Sequence, residues 1–150
     1  MEYENLVSLS TVLPRNDFFA SKLGITIHCS ENFNRLIVPE LSPNVPAFEG
    51  ILEYLVLSEA RNDRKICGDI SDRRILSADE AMVLVAAVIC GWCEGMDDGC
   101  SNVVYLQSRT KQWLVIGACW SAVLGAWLLN AYKVSTTSEW QRGDRIFSVA

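Results

Sequence analysis

The sequence predicts an α+β fold dominated by helix: a closely packed antiparallel pair of apolar helices, with an amphipathic helix and a small sheet beside it. Three observations carry that expectation. Two long apolar segments, 81–93 and 113–129, are almost free of polar residues. All four prolines (Pro14, Pro39, Pro43 and Pro46) fall in the first 46 residues, so uninterrupted helices are permitted after that point. Finally, 150 residues with 50% hydrophobic and 21% charged content suit one packed domain. The expected organisation is a single domain over 1–150, with short mixed elements in 1–46 and a helical core with a C-terminal strand in 47–150.

Residues 6–13 alternate loosely and predict a strand. Residues 16–23 predict a short helix, with Asn16 placed to cap it and Gly24 where it would stop. The β-branched stretch 25–28 predicts a short strand, and 31–38 fits helix or strand equally. Pro46 sits at a favourable first-turn position, and Phe48, Ile51, Leu52 and Leu55 follow helical spacing, which predicts a helix over 47–60. Residues 61–76 form a charged connection with five of the thirteen basic residues, Arg61, Arg64, Lys65, Arg73 and Arg74. Ser77 followed by Glu80 is a capping-box pattern that opens a helix over about 77–95. A strand is expected at 102–107, a helix over about 111–133, and a strand at 145–149.

The two apolar helices carry matching small-residue stripes, Ala87, Gly91 and Gly95 on one and Gly117, Ser121 and Gly125 on the other. Residues four apart share a helix face, so the stripes predict a close backbone crossing. The expected core is Phe48, Ile51, Leu52, Leu55, Val83, Leu84, Ala87, Val88, Gly91, Leu114, Gly117, Ala118, Ser121 and Leu128. Segment 113–129, flanked by Lys111 and Lys133, also reaches the lower length limit of a membrane span. Its partner run 81–93 is too short to cross, which favours a core pair.

The chemistry-bearing residues are sparse. The cluster Cys90, Cys93 and Cys100 lacks a second pair to complete a zinc site, so packing cysteines are expected and no metal or cofactor. Cys90 and Cys93 also fall near a helix C-terminus, the wrong end for a lowered thiol pKa. The one histidine, His28, adjoins Cys29, but strand neighbours point to opposite faces. Neither a nucleophile elbow nor a glycine-rich phosphate loop is present. Segment 16–38 has a partial helix-turn-helix pattern, with Lys22 and Arg35 as its phosphate contacts, yet residues 1–40 net −2.

Eighteen acids against thirteen bases leave a net charge of −5, the wrong sign for a general nucleic-acid binder. An N-terminus without a basic start and apolar run predicts a cytoplasmic protein. Together these features predict a non-enzymatic, small acidic inhibitor that occupies a basic surface of a nucleic-acid-handling protein or complex, in the manner of an immunity protein or an anti-CRISPR. The expected contact residues are Glu49, Glu53, Glu94, Asp97 and Asp98, with no direct nucleic-acid or membrane contact. The alternatives are a DNA-binding regulator using 16–38 and a small membrane protein using 113–129.

Overall fold

A computed structural model describes residues 3–9, 25–42, 50–90, 95–135 and 137–150. Its centre is a mixed sheet of seven strands: β1 (Tyr3–Leu9), β2 (Ile27–Cys29), β3 (Gly50–Val56), β5 (Asn102–Gln107), β6 (Trp113–Ser121), β7 (Ala126–Lys133) and β9 (Arg145–Val149). Their order across the sheet is β1-β3-β9-β5-β6-β7-β2. Neighbours are antiparallel except β5 with β9 and β7 with β2, which run parallel. A separate two-stranded ribbon pairs β4 (Arg61–Asn62) with β8 (Glu139–Trp140). Three helices are described: α1 (Glu31–Leu36), α2 (Asp63–Asp69) and α3 (Ala78–Ile89).

Both faces of the sheet are covered. Against one face lies α3, buried along nearly its whole length, together with Phe33 of α1. Leu52, Val104, Leu106, Leu114, Ile116 and Phe147 meet it from the strands. Ile66 of α2 packs on the other face against Leu55, Val103, Tyr105, Val115 and Ile146. Adjacent residues of β5 thus serve opposite layers, Val103 and Tyr105 on one side and Val104 and Leu106 on the other, as the two-residue period of a strand requires.

Between α2 and α3 the chain passes the end of the sheet. The Arg74 amide donates to the Val149 carbonyl at 3.1 Å, and the Leu76 carbonyl accepts from the Gln107 amide at 2.9 Å. Residues 74–76 therefore span the gap between the ends of β9 and β5, and α3 begins on the far face. Ser77 caps it: the Ser77 hydroxyl accepts from the Glu80 amide, and the Glu80 carboxylate accepts from the Ser77 amide.

On the α2 face a polar group is fully buried. One Asp63 oxygen accepts from the Tyr105 hydroxyl at 2.6 Å and from Trp140 Nε1 at 3.0 Å. Its other oxygen accepts from the Ser135 amide at 3.1 Å. Those donors offset the cost of taking the side chain out of water, and they fasten the β4–β8 ribbon to the sheet.

The expectation of a helix-dominated, largely helical molecule is overturned: the protein is mostly sheet. The capping-box helix forms, ending at Ile89, and the strands at 102–107 and 145–149 have the expected limits. The helix expected over 47–60 is instead β3. Leu52 and Leu55, three apart, lie on opposite faces of a doubly covered strand, while Ile51 is exposed. The helix expected over 111–133 is the β6–β7 hairpin. With it goes the pair of crossing helices. Gly117 is small for another reason: a β-carbon there would stand 2.9 Å from Cη2 of Trp140. Gly125 sits in the hairpin turn at φ +60°, where a side chain is strained. Of the other expected core residues, Ser121 and Leu128 are half-buried, and Phe48 and Gly91 lie outside the described residues.

Candidate functional site

The β6–β7 hairpin and the loop before β5 define one end of the sheet. Asn102, the first residue of β5, is paired with Ala118, and β6 then continues to Ser121. The hairpin therefore projects three residues past the start of β5, about 10 Å at strand rise. Its turn, Ala122-Val123-Leu124-Gly125, is held by the Ser121 hydroxyl, which accepts from the Leu124 amide at 3.2 Å. Val123 is 95% exposed and Leu124 61%. Behind them Trp127, almost fully buried, stacks edge-on against Trp120 at 5.9 Å between centroids, which gives the turn a stiff base.

The loop 95–101 stands at the same end, because it leads into Asn102. Arg145 organises it: the guanidinium donates to the Gly95 carbonyl at 3.0 Å and to Asn102 Oδ1 at 3.2 Å, and grips the Asp98 carboxylate with both terminal nitrogens. Asn102 Nδ2 donates to the carbonyls of Met96 and Ala118, each at 3.1 Å, which joins the loop to β6. The hydrogen bond from Arg145 holds the Asp98 carboxyl below its usual range, so it is ionised at neutral pH. Asp97 beside it is exposed. Turn 141–144 and segment 57–60 meet here too, through bonds from the Leu57 amide to the Asp144 carbonyl and from the Gly143 amide to the Leu57 carbonyl, both 2.9 Å. Glu59, Asp97, Asp98 and Asp144 outweigh Arg142 and Arg145, so the balance at this end is acidic.

The residues singled out in the sequence divide. Asp97 and Asp98 stand at the same end of the sheet as the hairpin turn. Glu53 does not: it is mid-strand in β3 at the α2 face, nearly buried and ion-paired with Arg73. Glu49 and Glu94 lie outside the described residues. The basic island is largely neutralised, since Arg61 meets Asp69 at 2.6 Å, Arg73 meets Glu53 and Arg74 meets Glu80. The sequence does not mark Val123 and Leu124 as surface residues, because they lie inside an apolar run. Gly125 closing a short step between two aromatic-rich stretches is the one signal that could have exposed the turn.

Other chemistry finds little support in the geometry. Among the described residues no three His, Cys, Asp or Glu side chains are placed to hold a metal ion. Cys90 is exposed at the end of α3, Cys100 is in the acidic loop, and Cys93 lies outside the described residues. Burial raises the thiol pKa of Cys29, Cys67, Cys90, Cys100 and Cys119; that of Cys67 is pushed up to about 11 by burial and by the Asp63 carboxylate. Such thiols stay protonated and are poor nucleophiles at neutral pH. In segment 16–38, Ile27–Cys29 is a strand paired with β7 where a helix-turn-helix needs its turn, and residues 16–24 lie outside the described residues. Segment 113–129 is strand and turn, and among the described residues no helix is long and apolar enough to cross a membrane. No protein-family model, curated protein or solved structure matches the chain.

Proposed function

We propose that this protein works by binding rather than by catalysis, as a small acidic inhibitor that occupies a basic surface of a nucleic-acid-handling protein. One observation carries the reading: the exposed apolar turn Val123-Leu124 stands at the same end of the sheet as the acidic loop around Asp97 and Asp98. Two large aliphatic side chains set out in water on a stiff hairpin are a cost in the free protein that contact with a partner recovers. The acidic surround steers that hairpin to a positively charged partner and sets its orientation. Arg145 already holds the loop in place, so little ordering remains to be done on binding.

The test is affinity capture from the native host with three baits: the wild-type chain, Val123→Asp/Leu124→Asp, and Asp97→Lys. One stoichiometric basic partner is expected with wild type. The double variant should lose it at least tenfold, and Asp97→Lys should weaken it mainly by slowing association, with less effect at high salt. A partner captured equally by all three baits would sink the surface assignment. Recovery of nucleic acid instead of protein would sink the inhibitor reading.

A further inference from the structure

At the end of the sheet away from the hairpin tip, the β5–β6 turn and the start of α3 enclose a cleft of about 280 Å³. Glu40, Asp79, Glu80, Arg109 and Lys111 are the charged residues on its walls. Three of these charges are already matched. Glu40 pairs with Arg109, whose amide donates to Glu40 Oε1 at 3.2 Å and whose Nε stands 3.6 Å from Oε2. Glu80 pairs with Arg74. Asp79 and Lys111 are left over. Asp79 is 8% exposed, and its Oδ1 accepts from the Ser42 amide at 3.0 Å. Its Oδ2 has no hydrogen-bond or ion-pair partner among the described residues, yet is not sealed in the core, so it is the atom Asp79 presents to the cleft. A carboxylate oxygen so far withdrawn from water and left unpaired is costly, and a cationic group beside it offsets that cost. Lys111 is exposed and has no ion-pair partner among the described residues. It closes the β5–β6 turn, its amide donating to the Ser108 carbonyl at 3.0 Å, with φ at +66°. No other non-glycine among the described residues has a positive φ. Glycine fits such a position without strain, so a lysine there brings an ammonium to the cleft at a cost to the fold.

From this we infer that the cleft binds a zwitterion of amino-acid size. Its ammonium sits on Asp79 Oδ2, its carboxylate on the Lys111 ammonium, and its small apolar side chain against Ile75. Asp79 at the start of α3 and Lys111 in the β5–β6 turn stand on different walls and do not pair with each other. A ligand carrying both charges satisfies both residues at once, whereas a simple cation or a simple anion satisfies one. Ile75, on the same wall and 56% exposed, supplies the apolar contact. The volume sets the size: it falls just below the range of about 300–1,000 Å³ that holds drug-sized ligands, which leaves room for a single amino acid. The hairpin tip lies at the other end of the sheet, so a partner bound there leaves this cleft open.

Three probes with one carbon skeleton test this when titrated into the full chain and followed by amide chemical shifts: L-leucine with both charges, isoamylamine with the ammonium alone, and 4-methylpentanoate with the carboxylate alone. Leucine should bind saturably, with shifts centred on 40–42, 75–80 and 107–111. Each of the other two should bind about tenfold more weakly, the worth of one charged hydrogen bond. Asp79→Asn should bring leucine down to the level of 4-methylpentanoate. Lys111→Gly should bring it down to the level of isoamylamine while raising the melting temperature, because glycine relieves the left-handed turn; its loss of binding is then not a loss of fold. If Asp79→Asn does not fold, Lys111→Gly decides alone. No saturable leucine shift in the wild-type chain, isoamylamine binding as tightly as leucine, or a leucine preference that survives in Lys111→Gly would overturn the assignment.

Discussion

Segments 81–93 and 113–129 have nearly the same composition and opposite structures. The first lies mostly within α3; the second is most of a hairpin in the sheet. Both are apolar all round, and in both cases two-sided burial is the reason: α3 is buried along nearly its whole length, and β6 and β7 sit inside a sheet covered on both faces. A uniformly apolar run says that a segment is central, not which backbone it adopts. What flanks and fills each run agrees with the backbone it adopts. The first opens on a capping box and is filled with Ala, Met and Leu alongside its Val residues. The second is broken by Gly125 at positive φ and carries Trp113, Ile116, Trp120 and Trp127, which suit a pleated surface.

That contrast can be broken or sharpened by substitution. The largest effect is expected at Leu84, fully buried at the centre of α3: Leu84→Ala should cost about 3 kcal/mol, read as a lower urea midpoint. A change within a few tenths of zero would mean that α3 does not pack as described. Gly117→Ala tests the hairpin by sign. In a helix it would stabilise by about 1 kcal/mol. In β6 its β-carbon is driven against the Trp140 indole, and a loss of about 2 kcal/mol with altered tryptophan fluorescence is expected. Ser77→Ala removes one half of the capping box and should cost about 1 kcal/mol, with a partial loss of helical circular dichroism; the strand signal should be kept.

The smallest effect is electrostatic. The Asp98 side chain is 43% exposed, so its pair with Arg145 is screened, and Asp98→Asn should cost under about 1 kcal/mol at pH 7. The folded pKa of Asp98 lies below its unfolded value, so the stabilisation is present above about pH 4 and is lost as pH falls through the folded value. Wild type and Asp98→Asn should therefore converge in denaturation midpoint as the solution is acidified. A gap that widens on acidification would contradict the assigned pair.

How much was legible follows the same division. Strands 102–107 and 145–149 and the start of α3 are readable because short β-branched or aromatic runs and a cap are local signals. Strand β3 was not, since Leu52 and Leu55 satisfy helical spacing as well as opposite faces of a covered strand. Of the candidate surface, the acidic pair Asp97 and Asp98 was legible as charge on a loop. The exposure of Val123 and Leu124 was not, because nothing local says that an apolar turn projects past its neighbours. A small cleft walled by residues from 67–76, Tyr105, Trp113 and 147–148 was not legible either, since only the sheet order brings those residues together.

The sequence by itself determined the acidic balance, the capped start of α3, the two strands with local β signals, and that two long segments must be central. Whether the second of those segments became helix or hairpin was decided by the tertiary structure. A uniformly apolar run has no period from which to read its backbone, and what settles it is the set of partners it is buried against: β5 along β6, β2 along β7, and Trp140 over Gly117.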